Sequence, residues 1–194
     1  MNNSPRPITI VSGLPRSGTS VTMQMLVAGG IPPLTDDIRT PDEDNPRGYF
    51  EFERAKKIKT DKAWLPDGQG RVVKMVHILL LDLPMDRRYD IVFMRREPHE
   101  VVKSQGVMLA RSGKSGAALS PEKLIAVYQQ QIDRVLAFLR THACARVLEV
   151  NYNHLIREPE KTARDLASFL TRDMNIPAMA AAVDPALYRN RVAT

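Results

Sequence analysis

The stretch Gly13-Leu14-Pro15-Arg16-Ser17-Gly18-Thr19-Ser20 decides how this chain is read. An apolar, β-like run, Ile8-Thr9-Ile10-Val11, precedes it, and a run of helical composition, Val21-Thr22-Met23-Gln24-Met25-Leu26-Val27-Ala28, follows. Strand, glycine-bounded loop and helix make a phosphate cradle. The loop turns backbone N–H groups inward, and the helix start adds unpaired donors and a partial positive charge. The spacing is half that of a nucleotide-binding loop, G-x-x-x-x-G-K-[ST]. Thr19 stands where that pattern has lysine, Ser20 follows it, and the cation lies inside the loop at Arg16. An internal arginine with three hydroxyls, on Ser17, Thr19 and Ser20, suits a phosphate but is less suited to a magnesium triphosphate.

A second strand-to-helix junction lies further along. Asp90-Ile91-Val92-Phe93-Met94-Arg95 reads as a strand, and Pro98 sits where the first turn of a helix accepts proline. Paired arginines, Arg95 and Arg96, open this junction. Elsewhere the pattern predicts helices over 18–29, 52–62, 98–112, 121–140, 159–171 and 176–183, and strands over 8–12, 71–76 and 146–152. Residues 78–82 read as a short helix or loop over the core, with Asp82 a weak candidate magnesium ligand. Strands alternating with helices predict a parallel α/β sheet with right-handed crossovers and its ligands at the carboxyl ends of the strands.

Pro15 to Ser20 resemble, at every position, the 5′-phosphosulfate loop of the sulfotransferases that use 3′-phosphoadenosine 5′-phosphosulfate. Arg96, Pro98 and Ser104 are similar to the 3′-phosphate motif of the same family. In a third stretch Tyr152, Leu155, Pro159 and Phe169-Leu170 hold family positions, while Asn153 and His154 stand in place of two acids. The likeness covers 8–29, 71–104 and 146–172, and the context of Glu51 resembles bacterial members. It implies a P-loop-type three-layer α/β/α sandwich with a central, mainly parallel sheet, formed by one domain over 1–194. It also implies that Pro15, Arg16, Ser17, Gly18, Thr19, Ser20, Arg96 and Ser104 bind the donor. A sulfuryl group then passes to an acceptor hydroxyl or amine with no metal required. Arg16 stabilises the leaving oxygen. Glu51, closing Asn45-Pro46-Arg47-Gly48-Tyr49-Phe50-Glu51, and His77, just after Lys74, are the candidate bases. Lys74 either contacts the transferring group or merely ends a strand.

Composition fits this reading. With 194 residues, 43% of them hydrophobic and 26% charged, the chain has the make-up of a globular domain, and no apolar run approaches the ~18 residues of a membrane span. A single cysteine, Cys144, excludes an internal disulfide framework and fits a reducing, cytoplasmic setting. The net charge of +6 calls for an anionic partner. Its cations are spread along the chain without a nucleic-acid signature, which favours a nucleotide over RNA or DNA. Two other readings stay open: a P-loop nucleotide kinase or NTPase, and a non-catalytic nucleotide-binding protein. The sequence leaves the acceptor open among small molecules, glycans, lipids and peptides. It is silent on the oligomeric state and on whether Arg189 and Arg191 reach the nucleotide.

Overall fold

The computed structural model describes residues 6–36, 38, 48–111 and 119–184. Four strands form one all-parallel sheet in the order β2-β1-β3-β4: β1 (Ile8–Gly13), β2 (Val72–Val76), β3 (Tyr89–Arg95) and β4 (Ala145–Asn151). Every residue of β1 and all but the last of β3 are buried, as continuous apolar runs require when helices cover both faces of a sheet. The helices are α1 (Thr19–Ala28), α2 (Glu53–Lys56), α3 (Pro98–Arg111), α4 (Pro121–Arg140), α5 (Tyr152–Arg157), α6 (Pro159–Leu170) and α7 (Ile176–Ala181). Two 3-10 turns, Leu65–Gly68 and His77–Asp82, flank β2.

Alternating side chains of the strands feed two separate cores, which makes the molecule three layers deep. Ile8, Ile10, Val73, Met75, Ile91 and Phe93 pack with Val101 of α3 and with Ile132, Val135 and Leu139 of α4. Val11, Val72, Val92 and Met94 pack with Met23 and Leu26 of α1, Leu166 and Leu170 of α6 and Met179 of α7. The chain therefore leaves β1 through α1 on one face and leaves β3 through α3 on the other. Adjacent parallel strands whose connections depart to opposite faces open a crevice at their carboxyl ends. The two phosphate-type junctions of the sequence both lie at that crevice.

The expected helix over 52–62 is shorter than the sequence implies. Only Glu53–Lys56 is helical; turns follow, with Ile58 N–H bonded to Ala55 O and Thr60 N–H to Lys57 O. Tight turns let Ala55, Ile58 and Trp64 all enter the core while the intervening lysines stay outside, which one straight helix would not do. Trp64 is fully buried, and Phe52 meets it edge-on at 5.6 Å between ring centres. The segment after β4 divides at Pro159 into α5 and α6, and Asn151 caps α5 by accepting from the N–H groups of Asn153 and His154. The run 78–82 belongs to a 3-10 turn. Asn45 to Arg47 of the segment that Glu51 closes, and the tail with Arg189 and Arg191, lie outside the described residues.

Candidate active site

The first loop is held in an unusual shape by contacts that leave no room for side chains. Gly18 has φ 102°, and a Cβ there would lie 2.3 Å from the Tyr152 ring. At Gly13 a Cβ would lie 2.5 Å from Ser17 Oγ and 2.8 Å from Met94 O. Arg16 itself adopts φ 72°, a left-handed conformation that costs a non-glycine residue roughly 1–2 kcal/mol. Strain of this kind persists where surrounding contacts over-determine the backbone.

Those contacts come from the second junction. Arg96 donates from Nη1 to Arg16 O at 3.0 Å and from Nε to Glu100 Oε2 at 2.9 Å, and its guanidinium lies 4.5 Å from the centre of the Tyr152 ring. The Arg96 and Glu100 side chains are only 7% and 3% exposed, so each buried charge has its counter-charge. One residue past Ser104, Gln105 donates to Pro15 O at 3.1 Å and accepts from the Tyr128 hydroxyl at 2.6 Å. Arg16 Nε closes the stitch by donating to Ser104 Oγ at 3.0 Å.

A cavity of about 320 Å³ opens beside the loop. Pro15, Arg16, Gly18, Thr19, Ser20, Arg96 and Ser104 all line it, together with the first turn of α1, which carries no acidic residue to offset its positive end. Ser17 lies behind this wall, 1% exposed, and its buried Oγ has no hydrogen-bond partner. Lys74 and Glu51 line the other side. Glu51 Oε2 is 2.6 Å from Lys56 Nζ, and Oε1 is 3.9 Å from Lys74 Nζ. Lys74 also donates to Tyr49 O. The Glu51 backbone is fixed in turn: its carbonyl accepts from the Thr35 hydroxyl at 2.9 Å and from Asp36 N–H at 3.3 Å. Burial, the largest influence, pulls the Lys56 pKa down, but hydrogen bonds and charge from Glu51 and Glu53 outweigh it and hold Lys56 above the ordinary lysine value.

His77 is elsewhere. It is 3% exposed, shares a 3.0 Å hydrogen bond through Nε2 with Gln131 of α4, and does not line the cavity. Burial, above all, pushes its pKa down, against the opposing effects of Gln131 and the Gly13 backbone. Asp82 is likewise away from the cavity wall. Among the described residues, no three His, Cys, Asp or Glu side chains gather as a metal cage.

Sequence reasoning missed Lys56, Gln105, Tyr128 and Glu100. Gln105 follows Ser104, but nothing in spacing alone marks a glutamine that reaches back 90 residues to a loop carbonyl. Glu100 sits four residues after Arg96, a spacing that does permit a helical ion pair.

Residues 87–175 match the model of the family described as "Sulfotransferase family". The fold is similar to several solved sulfotransferases. The sulfotransferase domain of the Synechococcus PCC 7002 olefin synthase superposes with a TM-score of 0.60 at 17% identity, covering 95% of this chain and 86% of that one. A sulfotransferase from Alicyclobacillus acidocaldarius gives 0.52 at 18%, covering 87% and 82%. Mouse sulfotransferase SULT7A1, solved in complex with PAP, gives 0.55 at 16%, covering 92% of this chain and 62% of that one. No curated protein matches the chain in sequence. The chain is thus sulfotransferase-like in sequence over 87–175 and in fold over most of its length.

Proposed function

We propose that the protein is a sulfotransferase that moves a sulfuryl group from 3′-phosphoadenosine 5′-phosphosulfate to an acceptor hydroxyl or amine. The observation that carries this reading is the joining of two anion-type loops at one crevice, with Arg16 bound to Ser104 and Arg96 bound to the Arg16 carbonyl. A nucleotide phosphorylated at both 5′ and 3′ positions needs two such loops side by side. A nucleoside triphosphate needs one loop, a lysine and a magnesium acid. The start of α1, whose first turn carries no acidic residue, fits an anion on the first loop. The PAP complex of the mouse relative supports the same nucleotide here.

In this reading the loop and Arg16 hold the 5′ end and stabilise charge on the bridging oxygen as it departs, while Arg96 and Ser104 serve the 3′-phosphate. The new bond joins acceptor oxygen or nitrogen to sulfur, the bond from sulfur to the bridging oxygen breaks, and its electron pair stays on the adenosine bisphosphate. Glu51 takes the acceptor proton. Its position on the cavity wall beside Lys74 favours it over His77, which is turned to Gln131.

Calorimetry with adenosine 3′,5′-bisphosphate, ADP and magnesium-ATP tests the reading. The wild type prefers the bisphosphate, and Arg96→Lys, which keeps a charge opposite Glu100 but loses the bidentate fork, weakens that preference at least tenfold. Equal or tighter binding of magnesium-ATP overturns the sulfotransferase reading in favour of a kinase. Tight bisphosphate binding without turnover on any acceptor leaves a binding protein.

A further inference from the structure

We infer that the acceptor is an uncharged alcohol on an aliphatic or aromatic body, seated against an apolar wall of the same cavity; the inference rests on the sulfotransferase reading. The wall is built from two elements that also build the donor side. On α3, Val107, Met108 and Arg111 follow Ser104 at three, four and seven residues, so one helical face passes from the loop-binding serine to apolar side chains. On the opposite side β2 runs from Lys74 through Met75 to Val76, and Leu79 follows in the 3-10 turn. Val76 pairs in register with Gly13, the residue that starts the phosphate loop. Val76 is 40% exposed and Val107 36%, both on the cavity lining.

Exposed valines on both walls of a concave site are costly in water and gain from an apolar ligand. A polyanionic acceptor would require cations on that wall. The three cations beyond the loop side are committed to protein partners: Lys56 to Glu51 and Glu53, Lys74 to the Tyr49 carbonyl and Glu51, and Arg111 to interactions of its own. The reacting hydroxyl therefore reaches the Glu51 and Lys74 side while the rest of the molecule covers Val76, Leu79, Val107 and Met108. The hydroxyl oxygen bonds to sulfur, and its proton passes to Glu51.

The test uses the full chain with straight-chain alcohols from butanol to octanol, and with glucose and a sulfated glucosamine as polar and anionic comparisons. Binding is measured by calorimetry with and without adenosine 3′,5′-bisphosphate, and turnover with the sulfated donor. Affinity and kcat/KM are expected to rise up to about fourfold per added methylene. Val107→Asp, a change at a surface-facing position, flattens that rise while bisphosphate binding stays unchanged. Met108→Gln serves as a milder second variant and halves the slope or more. A flat alcohol series, or faster transfer to either sugar, overturns the proposal while leaving the donor site standing. If the bisphosphate does not bind, the sulfotransferase reading fails. Alcohols that bind with the expected slope then occupy an apolar pocket that is no acceptor site, and the proposal fails with that reading.

Discussion

Glu51 and His77 entered as rival bases, and the two sit in opposite surroundings. Glu51 stands on the cavity wall with one oxygen on Lys56 and the other facing Lys74. Glu51→Gln keeps the shape but removes the proposed proton acceptor. Turnover should fall by roughly 10²-fold or more with bisphosphate affinity little changed. His77 is a packed side chain whose burial lowers its pKa below the ordinary 6.5. As pH falls the unfolded chain takes up this proton first, so folding stability declines from about pH 7 downward until the folded ring is protonated as well. Thermal melts of His77→Gln should show a smaller loss of stability between pH 7 and pH 5 than the wild type. An identical pH slope in the two proteins would refute that assignment.

At the scale of elements, the first loop is a structure held by its neighbours. Tyr152 presses against Gly18 and lies under Arg96, while Gln105, braced by Tyr128, holds Pro15. Gly18→Ala should destabilise the fold by at least ~1–2 kcal/mol from its left-handed backbone alone, with a further loss from contact with the Tyr152 ring. Tyr152→Ala removes that contact, so in urea melts the double variant should cost less than the sum of the two single changes. Additive costs would contradict the packing described. These same elements show where sequence is legible. β1, β3, α1, α3 and α4 carry continuous apolar runs, a glycine-bounded turn, Pro98, or a Ser120-Pro121 start, all of which are local signals. The 52–62 segment misleads because its composition is helical while three separated side chains compete to be buried. The stitch between loops is invisible for a different reason: Arg16 and Ser104 are 88 residues apart, and only the parallel sheet brings them together. The residues that line the cavity from the two loops were legible as types and spacings. Lys56 and Gln105 were not, because their roles exist only once α2 and α3 have been folded against the crevice.

The whole molecule is a parallel sheet with its two outer layers departing from a single seam between β1 and β3, and the sheet supplies the rigidity that a strained loop needs. No described helix is long and apolar enough to cross a membrane. Phe52 lines the cavity on one side and on the other touches Trp64, the chain's single tryptophan, which is sealed from solvent with its indole N–H unpartnered. A molecule entering beside Phe52 shifts the ring that abuts the fluorophore. Emission near 300 nm excitation should therefore change in step with occupancy of the acceptor side, and Phe52→Leu should mute the response without altering bisphosphate affinity measured by heat. With that outcome Trp64 serves as an optical gauge of ligand entry that needs no label.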